Sequence, residues 1–467
     1  MLNLNKYIIF QDNMSIKISL SDISDPERLI INKDLKFEKV EQVKGFNKSS
    51  FVKKQVGPTI YAWDVSDDDH IYLPLYWAQK YVANAKRPNR DNFNTMNCKF
   101  IGELRDAQKE IKKESINLLN KKGSCILALY TGCGKTITSI NIACTINLPT
   151  LILCHRLVLI DQWVASIQKV CENAKIQVLN TKSNLDETAD FYIMNSLNVN
   201  KKYHGFFKRV GTLIVDECHT ICSEKLSQSL YYINPRYSIA LSATPYRSDG
   251  MDELLYTYFG KELIHRKMHR EHYAFKIKTN FEPTVELGVN GKVNWNSVIN
   301  SQCLDENRNR LIINIVKFFR HRNFLILSKR VEQVNKLVDM LRNEGEDVTS
   351  LVGIKKFFDT RSRILIATCS KAGVGFDHPK LDSLIIASDL EEYFIQYLGR
   401  VFRTEDGIPL IFDLVDNFKI LQSHFYTRRK VYIEHGGIIS DFSLKNIVKV
   451  CKDIDTEEFK NVFPNYS

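Results

Sequence analysis

Ser124 to Tyr130 is a short, mostly apolar run that passes directly into Thr131-Gly132-Cys133-Gly134-Lys135-Thr136 and then into an amphipathic stretch. Strand, glycine-rich turn and helix in that order fit a buried parallel strand with its crossover helix, the start of an α/β layered fold. Gly132 and Gly134 permit backbone conformations that other residues resist and let amide N–H groups approach an anion closely. The helix beginning at Lys135 directs its positive dipole end at the same oxygens. The segment reads as a phosphate loop, in which Lys135 reaches the β- and γ-phosphates of a nucleotide and Thr136 binds Mg²⁺. Leu129 stands where the strict pattern has a glycine, so an ordinary glycine turn before a helix competes with this reading until a second element is found.

That element lies about eighty residues on, where Thr212-Leu213-Ile214-Val215 ends in Asp216-Glu217-Cys218-His219. The continuous apolar run predicts a strand buried on both faces, with both carboxylates at its carboxyl end beside the phosphate loop. Asp216 is expected to hold Mg²⁺, and Glu217 to polarise the water that attacks the γ-phosphate. An acidic pair at a strand end is common, and it is the order and spacing after the phosphate loop that give it weight.

The second half carries Phe324 to Ser328 and Arg363 to Thr368, two further runs that predict buried strands. After them come Lys371-Ala372-Gly373-Val374-Gly375-Phe376-Asp377 and Gln396-Tyr397-Leu398-Gly399-Arg400-Val401-Phe402-Arg403. Gln396, Arg400 and Arg403 recur at one-turn spacing, which predicts three polar heads on one helix face. A solvated basic face is the competing reading for such a pair of arginines.

Taken together these segments resemble the superfamily 2 helicases with a D-E-x-H box, and within them the XPB-like branch, from about Gly102 to Tyr432. Ser242-Ala243-Thr244 is similar to motif III. Ile152 to Arg156 with Gln162-Trp163 is similar to motif Ia, Met194 to Leu197 to the next strand-contacting segment, Lys371 to Asp377 to motif V, and Gln396 to Arg403 to motif VI. Leu104-Arg105 with Gln108 resembles the element whose glutamine reads adenine. The resemblance implies two RecA-like domains with ATP and Mg²⁺ as cofactors. The nucleotide is held by Arg105, Gln108, Thr131, Gly132, Cys133, Gly134, Lys135, Thr136 and Asp377, and the metal by Thr136 and Asp216. Catalysis falls to Lys135, Glu217, Gln396, Arg400 and Arg403. An arginine supplied across a domain cleft stabilises charge on the transferred phosphoryl group and is worth roughly 10³ to 10⁵ in rate. Cleft closure and opening would then alternate the grip on a strand.

Asn307 to Ile312, Leu381 to Leu384 and Leu398 to Val401 are most similar to the helicases of large cytoplasmic DNA viruses, particularly the poxvirus type that releases nascent transcripts. That likeness implies DNA as the favoured nucleic acid, RNA as a second candidate, RNA polymerase or other transcription factors as partners, and the host cytoplasm or the virion as location. Branch migration, strand annealing and restriction-type duplex translocation use the same motor and stay open. An inactive motor serving as a nucleic-acid-binding scaffold is the reading from another class. Only about thirty-five residues separate motif IV from motif V, a shortening around Gly353 that implies a reduced strand-contacting loop.

The net charge of +11, from 65 Lys and Arg against 54 Asp and Glu, suits a polyanionic partner. His265-Arg266-Lys267 with His269-Arg270, and Arg428-Arg429-Lys430, are candidate phosphate contacts, which bring affinity without sequence preference. The eleven cysteines form no C-x-x-C pair and are odd in number, which speaks against a disulfide framework or zinc module and for free thiols in a reducing compartment. Thr136 to Cys154 is nineteen residues without a charge, but its Thr, Ser and Asn content and Pro149 fit a helix plus a strand rather than a membrane span. A soluble intracellular protein is expected. Residues 1–100 predict a separate small α+β domain, 101–280 the first motor domain, 281–299 a connector, 300–440 the second motor domain and 441–467 a short polar tail.

Overall fold

A computed structural model of the chain describes residues 15–44, 51–55, 59–66, 69–81, 85–199, 204–221, 227–233, 235–243, 251–288, 291–353, 358–372, 378, 380–390, 394–403 and 407–467. The chain divides into two compact units, residues 1–266 and 267–467.

The first unit is built on a seven-stranded sheet whose order is Ile176–Leu179, Phe191–Asn195, Thr150–Cys154, Thr212–Val215, Tyr237–Ser242, Ser124–Leu129 and Leu263–Arg266. Every pairing is parallel. The five inner strands are buried along their whole length, which is why they read as unbroken apolar runs and not as alternating ones. Asp106–Lys122, Lys135–Ile146 and Leu157–Val170 are the main helices that cover it. The uncharged stretch from Thr136 thus divides between the helix Lys135–Ile146 and the strand Thr150–Cys154. Among the described residues no helix is long and apolar enough to cross a membrane.

The N-terminal region forms a small antiparallel sheet, Ser15–Ser19 paired with His70–Pro74 and that in turn with Asp64–Ser66. A separate domain is not what results. Ile16, Ile18, Leu73 and Trp77 share one hydrophobic core with Leu213, Leu254 and Phe259. Tyr231 Oη donates to Tyr61 O at 2.6 Å, and Tyr76 Oη donates to Glu262 Oε2 at 2.8 Å. The apolar faces of these short strands are too small to form a core alone and are buried against the motor domain instead.

The second unit repeats the architecture with strand order Val348–Leu351, Ile364–Thr368, Phe324–Ser328, Ser383–Ile386, Leu410–Val415, His272–Lys278 and Gly437–Asp441, again all parallel. Two expected boundaries move. His272–Lys278 pairs with Leu410–Val415, so the chain enters the second sheet well before residue 280. The segment expected as a polar tail instead places Phe442, Ile447, Phe459 and Phe463 in the second core, through the helices Leu444–Val450 and Thr456–Val462. The expected connector holds a bridge between Leu287 and Val293 and the start of the helix Trp295–Leu304.

An ion pair sits deep in this unit. Arg308 Nε donates to Asp416 Oδ1 at 2.8 Å, with the two side chains 2% and 0% exposed. Thr279 Oγ1 and Gln302 Nε2 each donate to the same carboxylate at 2.6 Å. Removing one partner of such a pair strands the other charge away from water. Asp416→Ala is therefore expected to lower unfolding free energy by about 3–5 kcal/mol, read from denaturant unfolding of the intact chain. A loss under about 1 kcal/mol, the range of a surface pair, would show that Arg308 finds water or another acceptor.

Candidate nucleotide site

The phosphate loop leaves the carboxyl end of Ser124–Leu129 and turns into Lys135–Ile146. Gly132 and Gly134 take φ of 93° and 86°, the left-handed region that side chains resist. A Cβ on Gly134 would lie 2.3 Å from Gln108 Nε2, so a side chain there would push that amide off the loop. Gln108 and Arg105 come from the start of the helix Asp106–Lys122 and close over the loop. Gln108 Oε1 accepts from Arg105 N at 2.9 Å, Gln108 Nε2 donates to Gly134 O at 3.3 Å, and Arg105 Nη2 donates to Gly132 O at 3.2 Å. Lys135 Nζ donates to Leu129 O at 3.0 Å, so the strand end holds the ammonium within the turn. Cys133 is buried, and that burial pushes its thiol up. Thr131 and Thr136 are half-buried on the loop and at the first turn of the helix.

One strand, Tyr237–Ser242, separates the phosphate-loop strand from Thr212–Val215. Asp216 and Glu217 leave the carboxyl end of the latter, on the same edge as the loop. Trp163 Nε1 donates to Asp216 Oδ2 at 2.8 Å, and Glu217 N donates to Asp216 Oδ1 at 3.0 Å. Burial, and then the Glu217 charge, push the Asp216 carboxyl up to about 6. Glu217 adopts φ 49°, a position costly for a residue with a side chain, and such strain collects where function dictates placement. Its Oε2 is buried and, among the described residues, accepts no hydrogen bond, with His219 Nδ1 at ion-pair distance, 3.5 Å. His219 Nδ1 lies 3.0 Å from Ser242 Oγ, joining the acidic motif to the end of the neighbouring strand. His155, at the end of Thr150–Cys154, is held near pKa 4 by burial, then by Arg156 and His219, and is neutral.

Raised above its unfolded value, the Asp216 carboxyl favours the protonated native state. The stability this group contributes is fully present below about pH 4 and is lost as pH rises through about 6. Stability of the nucleotide-free protein is thus expected to fall between those values by an amount that disappears in Asp216→Asn, measured as melting temperature against pH. An unchanged profile in that variant would place the titration elsewhere.

In the second unit the helix Phe394–Val401 carries Gln396 and Arg400, both buried. It ends at Val401, so Arg403 lies beyond it, and the single helix face expected for all three holds only for the first two. Burial lowers the Arg403 guanidinium's pKa. The segment is anchored by Arg270, whose Nη1 donates to Phe402 O at 3.3 Å and Nη2 to Gly407 O at 3.0 Å. Asp377 and the rest of Gly373 to Asp377 lie outside the described residues, as does Thr244.

The basic clusters are partly engaged within the protein. Arg428, expected as a phosphate contact, is 2% exposed and grips Asp413 through Nε and Nη2 at 2.9 and 2.8 Å, while Arg429 and Lys430 remain exposed. Arg266 pairs with Glu114 and Lys267 with Glu434. Helix periodicity turns Arg428 inward, which the run of three basic residues does not reveal by itself. Trp163, the hydrogen-bond donor to Asp216, carried no sequence sign of that task.

The profile of the family described as "Type III restriction enzyme, res subunit" matches residues 101–247. Over 400 residues the chain is 42% identical to "Putative helicase 161L" of Invertebrate iridescent virus 6, covering 80% of this chain and 90% of that one. The chain belongs to the superfamily 2 helicases. This helicase is also 31% identical over 374 residues to "Putative helicase 055L" of Frog virus 3, covering 79% of the chain and 85% of that relative. Among solved structures it is similar to S. cerevisiae Dbp5 bound to RNA and ADP BeF3, with a TM-score of 0.51 at 14% identity, over 76% of this chain and 93% of that one. That likeness concerns the fold, two RecA-like domains. Helicases of this family are ATP-dependent, typically with Mg²⁺, and bind nucleic acid.

Proposed function

We propose that this helicase hydrolyses ATP with Mg²⁺ to drive translocation on nucleic acid, DNA before RNA. One observation carries the reading: a glycine-shaped anion cradle and two carboxylates of unlike environment stand at the same edge of one parallel sheet. The residues fit the nucleotide. Gly132 and Gly134 expose loop amides, Lys135 supplies a cation beside them, and Arg105 and Gln108 flank the loop where a base would lie. They fit Mg²⁺ as well, since Asp216 is a held, desolvated carboxylate with Thr136 as the second ligand. Bound there, the metal would neutralise charge on the phosphates. Glu217, strained and with a buried oxygen beside His219, orients and deprotonates the attacking water. Gln396, Arg400 and Arg403 are assigned to the γ-phosphate, with Asp377 as a further nucleotide contact.

Release of nascent transcripts in a cytoplasmic DNA virus, through an XPB-like motor acting with RNA polymerase or transcription factors, is the biological role we favour. The restriction-enzyme profile over residues 101–247 supports a second reading, translocation on intact duplex. ATPase rates measured with single-stranded DNA, duplex DNA and RNA of equal length separate them. Strongest stimulation by single-stranded DNA is expected. Stimulation by duplex alone would favour the translocase, stimulation by RNA alone an RNA helicase, and no turnover with any of them would leave a binding scaffold.

A further inference from the structure

Three cysteines far apart in sequence meet in the first unit, away from the nucleotide residues. Cys144 lies in the last turn of the phosphate-loop helix Lys135–Ile146. Cys98 immediately precedes the strand Lys99–Phe100, and Cys171 opens the strand Cys171–Glu172 that pairs with it. Cys144 Sγ is 3.8 Å from Cys98 Sγ and 3.7 Å from Cys171 Sγ. Cys98 and Cys171 are buried, and Cys144 is partly exposed, so one end of the cluster is open to a small solute. Among the described residues no group of His, Cys, Asp and Glu is placed to hold a metal ion. What remains is thiol chemistry.

We propose that this cluster is an oxidation site at which hydrogen peroxide joins Cys171 to Cys144 as a disulfide, tying the phosphate-loop helix to the strand that follows the helix Leu157–Val170. The sulfurs need to close from 3.7 Å to about 2.05 Å to form the bond. Access sets the order of events: Cys144 is the thiol that solvent reaches, and the buried Cys171 sulfur lies 3.7 Å behind it. Cys144 is accordingly the attacking thiolate and Cys171 the resolving thiol. The Cys144 sulfur, its proton given up to solvent, attacks one peroxide oxygen, the O–O bond breaks, and hydroxide leaves and takes up a proton as water, giving a sulfenic acid. The Cys171 sulfur attacks the sulfenic sulfur, the S–S bond forms as the S–O bond breaks, and the Cys171 proton departs with that oxygen as a second water. Two thiols are oxidised and one peroxide is reduced to two waters.

The bond bears on the motor because the helix it holds begins at Lys135. Its site contains no residue of the nucleotide machinery, so oxidant reaches the phosphate-loop helix from its far end.

The test is peptide mass spectrometry of the full chain after hydrogen peroxide, without reductant. The expected product is a Cys144–Cys171 linked peptide about 2 Da lighter than the two free peptides, lost in Cys144→Ser, retained in Cys303→Ser and reversed by dithiothreitol. Cys303, in the second unit, serves as a control thiol in another buried setting. Linkage of Cys98 to either partner in place of Cys144–Cys171, sulfinic or sulfonic acids with no linked peptide, or zinc retained by the untreated cluster in native mass spectrometry would each overturn the proposal. The wild-type peptide map decides the matter even if Cys144→Ser fails to fold.

Discussion

Glu217→Gln is expected to lower nucleic-acid-stimulated ATP turnover by roughly 10²- to 10⁴-fold, the range for loss of a positioned general base, while ATP and strand binding largely survive. The substitution keeps the side chain's length and removes only its charge and proton affinity. Its geometry singles out this carboxylate from its neighbour. Asp216 is tied by Trp163 and by the Glu217 amide, whereas among the described residues Glu217 Oε2 accepts no hydrogen bond and has His219 Nδ1 3.5 Å away. The first is suited to hold a cation in place and the second to accept a proton. Phosphate release and equilibrium nucleotide binding, measured on one preparation, check the outcome. Lys135→Ala should abolish turnover as well, but with weaker ATP binding, because its ammonium lies at the phosphate loop itself. Parental turnover in Glu217→Gln would show the base assignment to be wrong.

Arg403→Ala is expected to reduce kcat by roughly 10³ to 10⁵, the range for an arginine that meets charge developing on a transferred phosphoryl group, with ATP affinity much less affected. A guanidinium engaged only in the transition state lowers kcat and kcat/KM together, whereas one that merely binds ground-state phosphate raises KM. Arg403 stands past the end of Phe394–Val401 in a segment pinned by Arg270. Its position therefore depends on backbone anchoring more than on helix periodicity. Single-turnover and steady-state rates separate the two outcomes, and equal losses in kcat and affinity would remove Arg403 from the transition-state role.

Much of the motor was legible in the residues. The runs from Ser124, Thr212, Phe324 and Arg363 predicted strands that the structure contains as Ser124–Leu129, Thr212–Val215, Phe324–Ser328 and Ile364–Thr368. Strands buried on both faces cannot alternate polar and apolar residues, so their signal survives without any knowledge of neighbours. The glycine turn was equally plain, because glycine readily takes the φ near 90° found at Gly132 and Gly134.

Charge was less faithful. Arg428, Arg429 and Lys430 are consecutive and look alike in sequence, yet Arg428 is locked onto Asp413 in the interior and its neighbours face water. Arg308 likewise stood out only for its resemblance to viral helicases, and proves to be paired with Asp416 more than a hundred residues away. Linear proximity says nothing about which of several cations finds a buried carboxylate.

The sequence by itself determined the strands, the glycine cradle, the acidic motif at a strand end and the order of the two RecA-like domains, since each follows from local sterics and from burial along a single segment. Only the tertiary structure decided that the N-terminal strands share a core with the first domain, that the last helices complete the second, that Trp163 grips Asp216, and that three scattered thiols meet. Those outcomes depend on contacts between segments distant in the chain, where what a side chain touches is set by packing and not by the residues beside it.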